Sequence, residues 1–157
     1  MKKKTVIFLK VITYLVGIGL LIGMFVLFHL SNYTANMYPE FAYLKFPVLI
    51  GMYVSTIPFF YALFQTYKLL KFIEEDHAFS IDAVLSLKRI KLCAIAIIFM
   101  YFIGMIFLVT QSALHPSIAL VGLAIIFVSC VIFYFAEVLQ GIFKNAADIK
   151  EENDLTV

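Results

Sequence analysis

Four long apolar runs alternate with short polar stretches along the chain. They cover residues 11–30, 47–70, 92–111 and 118–138. Each run has roughly the 20 residues that a helix needs to cross the hydrocarbon core of a bilayer. The only long charged interval, residues 68–91, begins at the end of the second run and separates the runs into two pairs. The pattern therefore predicts a single membrane domain that is all-α and polytopic, a bundle of four transmembrane helices.

Proline and helix-capping residues indicate where the predicted helices begin. Pro47 and Pro116 stand at the starts of helices two and four, where the missing N–H of proline costs nothing. Ser80 suits the N-cap of helix three and Asp82 its first turn, because both favour the positive end of a helix. Helix three is therefore expected to begin near residue 80, before it enters lipid. Helical spacing of apolar residues continues helix four to about residue 150, ahead of a frayed polar tail.

Two further stretches change this outline. Residues 31–45 (SNYTANMYPEFAYLK) contain turn formers and aromatic residues, which predicts a loop lying on the membrane surface, with a ligand-binding loop as the alternative. Pro58, inside helix two, predicts a kink, and Ser55 and Thr56 are near enough to satisfy the backbone there.

A signal peptide is the competing interpretation of the N-terminus, but the first apolar run is longer than the usual apolar core of roughly 7–15 residues.

Charge predicts the orientation of the helices. The chain is 64% hydrophobic and 14% charged, which excludes an ordinary soluble domain. With four spans, one side carries eleven of the twelve Lys and Arg residues, and the other carries only Lys45. The positive-inside rule therefore predicts a multi-pass protein of the cell membrane, with both termini and residues 68–91 in the cytoplasm.

Glu137, at the inner end of helix four, is the clearest ionisable residue within a span. Lys10, Arg89 and Lys91 stand at a similar depth on neighbouring helices. An ion pair that locks the cytoplasmic rim is the first interpretation, and a proton- or ligand-handling role is the alternative. The sequence contains no catalytic motif, so it predicts no enzymatic activity and no cofactor.

Histidine, cysteine and glycine add little chemistry. His29 and His115 are expected at the outer surface, but a proper metal site needs three or four ligands, so no metal is predicted. Cys93 and Cys130 differ in depth by on the order of 10 Å, too far for a disulfide. Gly19 and Gly23 form a G-x-x-x-G pattern in helix one, which allows close helix packing either within the bundle or in a homo-oligomer.

The segments AFSIDAVLSLKRIK and FAEVLQGIFKNAADIKEENDLTV resemble a family of small bacterial four-helix integral membrane proteins of unknown function, DUF2975. The shared features are Phe79-Ser80 before the basic run of helix three and the ending Asp154-Leu155-Thr156-Val157. Genes of this family often neighbour a small Cro-type helix-turn-helix regulator, so the resemblance implies a membrane partner for a DNA-binding protein, without direct binding of nucleic acid by this chain.

Three functional hypotheses follow. The first is a regulatory protein whose cytoplasmic face docks a soluble regulator, with these candidate docking residues: Phe79, Ser80, Lys88, Arg89, Lys91, Asp154, Leu155, Thr156 and Val157. The second is a small transporter or channel component, suggested by Pro58 and Glu137, although few polar residues lie within the spans. The third is immunity against a membrane-active peptide.

The apolar stripe of helix four continues beyond the membrane and bears on the same choice. Its members are Leu139, Ile142, Phe143, Ala146 and Ile149. Water would penalise such a stripe, so we expect Ile81, Val84 and Leu85, the membrane surface or a partner to cover it.

Overall fold

The computed structural model describes residues 2–155, which form four α-helices, one 3-10 helix and no strand. The elements are α1 (Lys2–Met37), the 3-10 helix (Pro39–Leu44), α2 (Lys45–Glu74), α3 (Ile81–Thr110) and α4 (Pro116–Leu155). Each of the four α-helices is long and apolar enough to cross a membrane. The predicted fold, an all-α polytopic membrane protein, is confirmed.

The expected loop over residues 31–45 is wrong. Helix α1 continues to Met37, and after Tyr38 the chain enters the 3-10 helix directly. The hydroxyls of Ser31 and Thr34 donate hydrogen bonds of 2.8 and 2.9 Å to carbonyls three and four residues earlier. Polar residues that are typical of a loop are therefore accommodated on the helix by bonding back to its own backbone.

Pro58 lies inside α2, which nevertheless runs without interruption to Glu74. The hydroxyls of Ser55 and Thr56 donate to the carbonyls three residues before them, at 2.7 and 2.6 Å. Because proline has no N–H, the carbonyl one turn before Pro58 loses its helical donor. Neither hydroxyl donates to that carbonyl. The expected compensation at that carbonyl is therefore wrong, because the two hydroxyls donate instead to the carbonyls of Met52 and Tyr53.

The ends of α3 and α4 show how far local sequence determines helix bounds. Helix α3 begins at Ile81, and the Ser80 hydroxyl accepts a hydrogen bond from the Ala83 N–H at 3.3 Å, which confirms the predicted N-cap. Helix α4 continues to Leu155, so the expected frayed tail after residue 150 is helical. Lysine and glutamate are good helix formers, which favours this extension.

Each α-helix packs against its neighbours in the chain. The backbone of α1 lies close to that of α2, the backbone of α2 close to that of α3, and the backbone of α3 close to that of α4, whereas no other two α-helices have close backbones within residues 2–155. Helices α1 and α4 are therefore the two edges of the bundle, and α2 and α3 are its centre.

Small residues set the interface between α3 and α4. Gly122, Ser129 and Ala136 are buried on α4 at a spacing of seven residues, and α3 is the only α-helix whose backbone lies close to that of α4 in the described chain. A Cβ added at Gly122 would lie 2.8 Å from the Met105 Sδ and 3.3 Å from its Cγ, so the Met105 side chain would have to shift. These residues allow the two helices to approach each other closely.

The two ends of the bundle differ in chemistry. We call the end formed by residues 2–10, 68–91 and 137–155 the basic end, and the end formed by residues 31–47 and 111–117 the aromatic end. The hydrophobic core lies near the basic end, where Leu69, Ala83 and Leu87 are buried together. Phe72, Ile73, Leu139 and Phe143 pack around this cluster. This core positions the basic ends of α2, α3 and α4 relative to one another.

Candidate functional site

Two ion pairs tie the helices together at the basic end. The Lys91 Nζ donates to the Glu137 Oε2 and joins α3 to α4, while the Lys10 Nζ donates to the Glu74 Oε2 and joins α1 to α2. Of the three cations that the sequence offered as partners for Glu137, the structure selects Lys91 and leaves Arg89 exposed. The sequence analysis did not predict Glu74 as the partner of Lys10. The two pairs follow the same pattern, because in α1–α2 and in α3–α4 a lysine on the first helix binds a glutamate on the second.

An aromatic ring lies beside each lysine. The Lys10 Nζ is 5.4 Å from the centre of the Tyr67 ring, and the Lys91 Nζ is 5.8 Å from that of Phe133. Such cation–π contacts help a lysine whose side chain is largely buried. The Lys91 side chain is 19% exposed, whereas that of Glu137 is 53% exposed. The carboxylate therefore neutralises a cation that is more buried than itself, and the structural lock at Glu137 stays a prediction.

A shallow, open groove lies at the basic end between the start of α3 and the last turns of α4. It has a volume of about 330 Å³ and is lined by Phe79, Ser80, Ile81, Ala147, Asp148, Lys150, Glu151, Asp154 and Leu155. The Phe79 ring meets the Phe143 ring edge-on at 5.5 Å, which holds it against α4. Four of the predicted docking residues, Phe79, Ser80, Asp154 and Leu155, therefore meet in one surface feature. We call it the acidic groove, because three of its lining residues are carboxylates.

The remaining predicted docking residues lie elsewhere. Lys88 and Arg89 are exposed on α3 and do not line the acidic groove, and Lys91 is held by Glu137. Thr156 and Val157 lie outside the described residues. The structure thus brings the aromatic and acidic candidates together and separates them from the basic ones.

The apolar stripe of α4 divides into a covered and an uncovered part. Leu139 and Phe143 pack against the core cluster within the chain, whereas Ile142 and Ile149 are exposed. The residues expected to cover the stripe are themselves exposed at Ile81 and Leu85. Packing within the chain therefore accounts for only part of the stripe.

The G-x-x-x-G pattern of α1 is not used inside the bundle. A Cβ built at Gly19 or Gly23 meets no atom within 4 Å, whereas one built at Gly17 lies 3.7 Å from a methyl carbon of Leu63. Gly17 is therefore the glycine that faces α2. Packing within the chain does not explain the pattern, and a homo-oligomer through Gly19 and Gly23 stays a prediction.

The histidines and cysteines show no sign of a shared site. The His115 Nδ1 lies 2.8 Å from the Ser117 Oγ, and the His29 ring packs edge-on against Phe25. Within residues 2–155 no three His, Cys, Asp or Glu side chains are grouped as a metal site would require. Cys93 and Cys130 are free thiols.

A buried amide that the sequence analysis did not single out lies on α2. Gln65 is 1% exposed, and its side-chain Oε1 accepts no hydrogen bond from the described residues. The Oε1 atom of Gln140, one turn after Glu137, is also buried and accepts no hydrogen bond from the described residues, although Gln140 as a whole is partly exposed. A glutamine in an otherwise apolar run was the available signal for Gln65.

Comparison with known proteins connects this geometry to a family. Residues 29–157 match the family described as "Protein of unknown function (DUF2975)". The chain is 45% identical over 160 residues to the "Uncharacterized membrane protein YoaS" of Bacillus subtilis (strain 168), an alignment that covers 100% of both proteins. No solved structure matches the chain.

Proposed function

The chain belongs to the family of proteins of unknown function DUF2975, and on that premise we propose that it is a regulatory membrane protein that docks a cytoplasmic partner at its basic end. A small helix-turn-helix regulator is the partner that the family resemblance favours. The bundle anchors the docking surface to the membrane, and the partner is held there away from its targets.

The distribution of charge supports a cytoplasmic location for the basic end. Eleven of the twelve Lys and Arg residues belong to this end, and Lys45 belongs to the aromatic end. Short loops that are rich in Lys and Arg are retained in the cytoplasm during membrane insertion. A partner made in the cytoplasm therefore has access to the basic end.

The acidic groove is the observation that carries the proposal. Phe79 and Leu155 are large apolar residues at the rim of the protein, and they are 49% and 81% exposed. Lipid can cover the exposed apolar residues of the spans. Phe79 and Leu155 lie beyond the spans, after polar stretches of the chain, so lipid does not account for their exposure. Exposed apolar residues around a concave surface are typical of a protein-binding site.

Docking is favoured over conduction by the surroundings of Glu137. A carboxylate on an ion pathway is expected to face a water-filled cavity within the bundle. Glu137 instead forms an ion pair with Lys91 at the basic end. The transport hypothesis therefore loses the residue that suggested it most strongly.

Site-specific photo-crosslinking in living cells tests the proposal. The full chain carries a benzophenone amino acid at Phe79, or at Ile149 as a matched control that is exposed on α4 outside the acidic groove. The cells also produce the candidate helix-turn-helix regulator. We expect a covalent adduct with that regulator from position 79 and none from position 149.

The same experiment includes a variant that removes an anchor. Leu155→Ser should greatly weaken the adduct from position 79 while the amount of protein in the membrane stays unchanged. Absence of the adduct in cells that contain both proteins, or equal adducts from positions 79 and 149, would contradict docking at this groove.

A further inference from the structure

The geometry points to a definite chemical class of partner for the acidic groove, and this inference rests on the proposed function. We propose that the groove binds a basic amphipathic helix. Apolar side chains of that helix pack between Phe79 and Leu155, and its Lys and Arg side chains pair with Asp148, Glu151 and Asp154. Binding of an amphipathic helix in a groove is a common mode of peptide recognition.

The charges of the groove are the first step of the argument. Three carboxylates, those of Asp148, Glu151 and Asp154, line it together with one ammonium group, that of Lys150. The carboxylates follow one another at intervals of three residues, so they project from neighbouring positions on α4. None of them forms an ion pair with another residue in the range 2–155. The groove is therefore a locally acidic surface on an end of the protein that is otherwise basic.

The position of the carboxylates on α4 strengthens their attraction for cations. Glu151 and Asp154 lie in the last turns of this helix, and its last turn contains no basic residue. The C-terminal end of a helix carries partial negative charge from its unpaired carbonyl groups. Cationic side chains that bind here are attracted by both the carboxylates and the helix end.

The groove also offers apolar surface beside these charges. Phe79 and Ile81 approach it from the start of α3, and Ala147 and Leu155 approach it from α4. A partner that matches both properties needs apolar residues along one face and cations on the flanks. An amphipathic helix supplies these at intervals of three and four residues.

The same charges disfavour two other occupants. The cytoplasmic surface of the membrane is anionic, so its headgroups would be repelled by Asp148, Glu151 and Asp154. A second copy of the chain that met this groove with its own would place like charges opposite each other, since a symmetric contact uses the same patch twice. A cationic helix has neither conflict.

Fluorescence anisotropy with designed peptides tests the inference. The full-length protein is placed in nanodiscs of phosphatidylcholine and titrated with a labelled Leu/Lys helix of about 18 residues, five helical turns. A Leu/Glu helix of identical pattern is the second probe, and empty nanodiscs give the background. We expect the Leu/Lys helix to bind the protein at least tenfold more tightly than either the Leu/Glu helix or the empty nanodiscs.

Charge-neutral variants locate the binding. The triple variant Asp148→Asn, Glu151→Gln, Asp154→Asn should bind the Leu/Lys helix about tenfold more weakly, the factor that three exposed ion pairs give together. Glu151→Gln should account for part of this loss, whereas Glu152→Gln, a neighbour that does not line the groove, should leave the affinity unchanged. Circular dichroism checks that all variants keep their helix content.

Three results would overturn the inference: equal affinity of the triple variant and the parent protein, equal binding of the two peptides, or binding no stronger than to empty nanodiscs. These results are separate from the crosslinking result. A regulator that crosslinks from position 79 while the Leu/Lys helix does not bind would keep the proposed function and reject the basic helix. Binding of the Leu/Lys helix without a crosslinked regulator would keep the basic helix and reject the regulator as the partner. It would favour another cationic peptide as the natural occupant.

Discussion

Removal of the Glu137 carboxylate should destabilise the bundle through the lysine that it neutralises. The Lys91 side chain is 19% exposed and that of Glu137 is 53% exposed, so Glu137→Leu leaves a largely buried ammonium group without its acceptor. We expect the free energy of unfolding to fall by about 1 kcal/mol, between the mean and the maximum measured for hydrogen bonds within membrane proteins.

Two further variants make the expectation specific. Glu137→Gln keeps an oxygen that can accept from the Lys91 Nζ, so it should cost only about 0.3 kcal/mol. Lys91→Met keeps the apolar packing of the side chain and leaves behind a half-exposed carboxylate that water can solvate. It should therefore cost about 0.5 kcal/mol, which includes the lost contact with the Phe133 ring.

A double-mutant cycle measures the pair directly. Unfolding is followed by far-ultraviolet circular dichroism in mixed micelles of dodecylmaltoside and sodium dodecyl sulfate, because the chain has no tryptophan to report on it. In the Lys91→Met background, Glu137→Leu should cost little or nothing. If it costs as much there as in the parent protein, the ion pair does not stabilise the bundle. If Glu137→Gln abolishes a cellular phenotype while stability is intact, the charge itself is functional.

Three other predictions concern topology and packing. In a background without the native cysteines, a cysteine at Asn36 should react with an impermeant maleimide on intact cells, and one at Asp76 should not. Labelling at Asp76 would contradict the predicted orientation. Ser112 has a φ of 52°, so Ser112→Gly should raise the free energy of unfolding by about 0.5 kcal/mol, the left-handed penalty less the added chain entropy of glycine, and a fall would contradict this. Gly122→Ala, at the close contact of α3 and α4, should be less stable than Gly19→Ala by about 1 kcal/mol in the same assay, whereas equal stability would remove the argument from close packing.

The features that the sequence predicted well depend on local signals. The apolar runs have about the length needed for a span, and the side chain of Ser80 caps α3 within its own first turn. Residues 31–37 were mispredicted as loop although their signals are also local, because Ser31 and Thr34 suit a loop and a helix surface equally well. Hydroxyl side chains therefore give ambiguous helix ends where an apolar run stops gradually.

The features that were missed depend on which helices are neighbours. Lys10 and Lys91 were equivalent candidates for Glu137 in the sequence, and only the packing of α1 on α2 assigns Lys10 to Glu74. In the same way the sequence drew attention to Gly19 and Gly23, while the interface of small residues lies on α4. Two glycines four residues apart are a familiar pattern, whereas small residues of three different types at a spacing of seven are easily overlooked.

The packing of every helix against its chain neighbours has a consequence for how the protein is made. As the ribosome delivers one helix after another to the membrane, the backbone of each arriving helix packs against the helix synthesised just before it. The core at the basic end is completed last, because Leu139 and Phe143 of α4 pack on the cluster that contains Leu69 of α2. The two ion pairs close over 64 and 46 residues of chain. The first hairpin can therefore be assembled while α3 and α4 are still being synthesised, since chains generally fold from the N-terminus during synthesis.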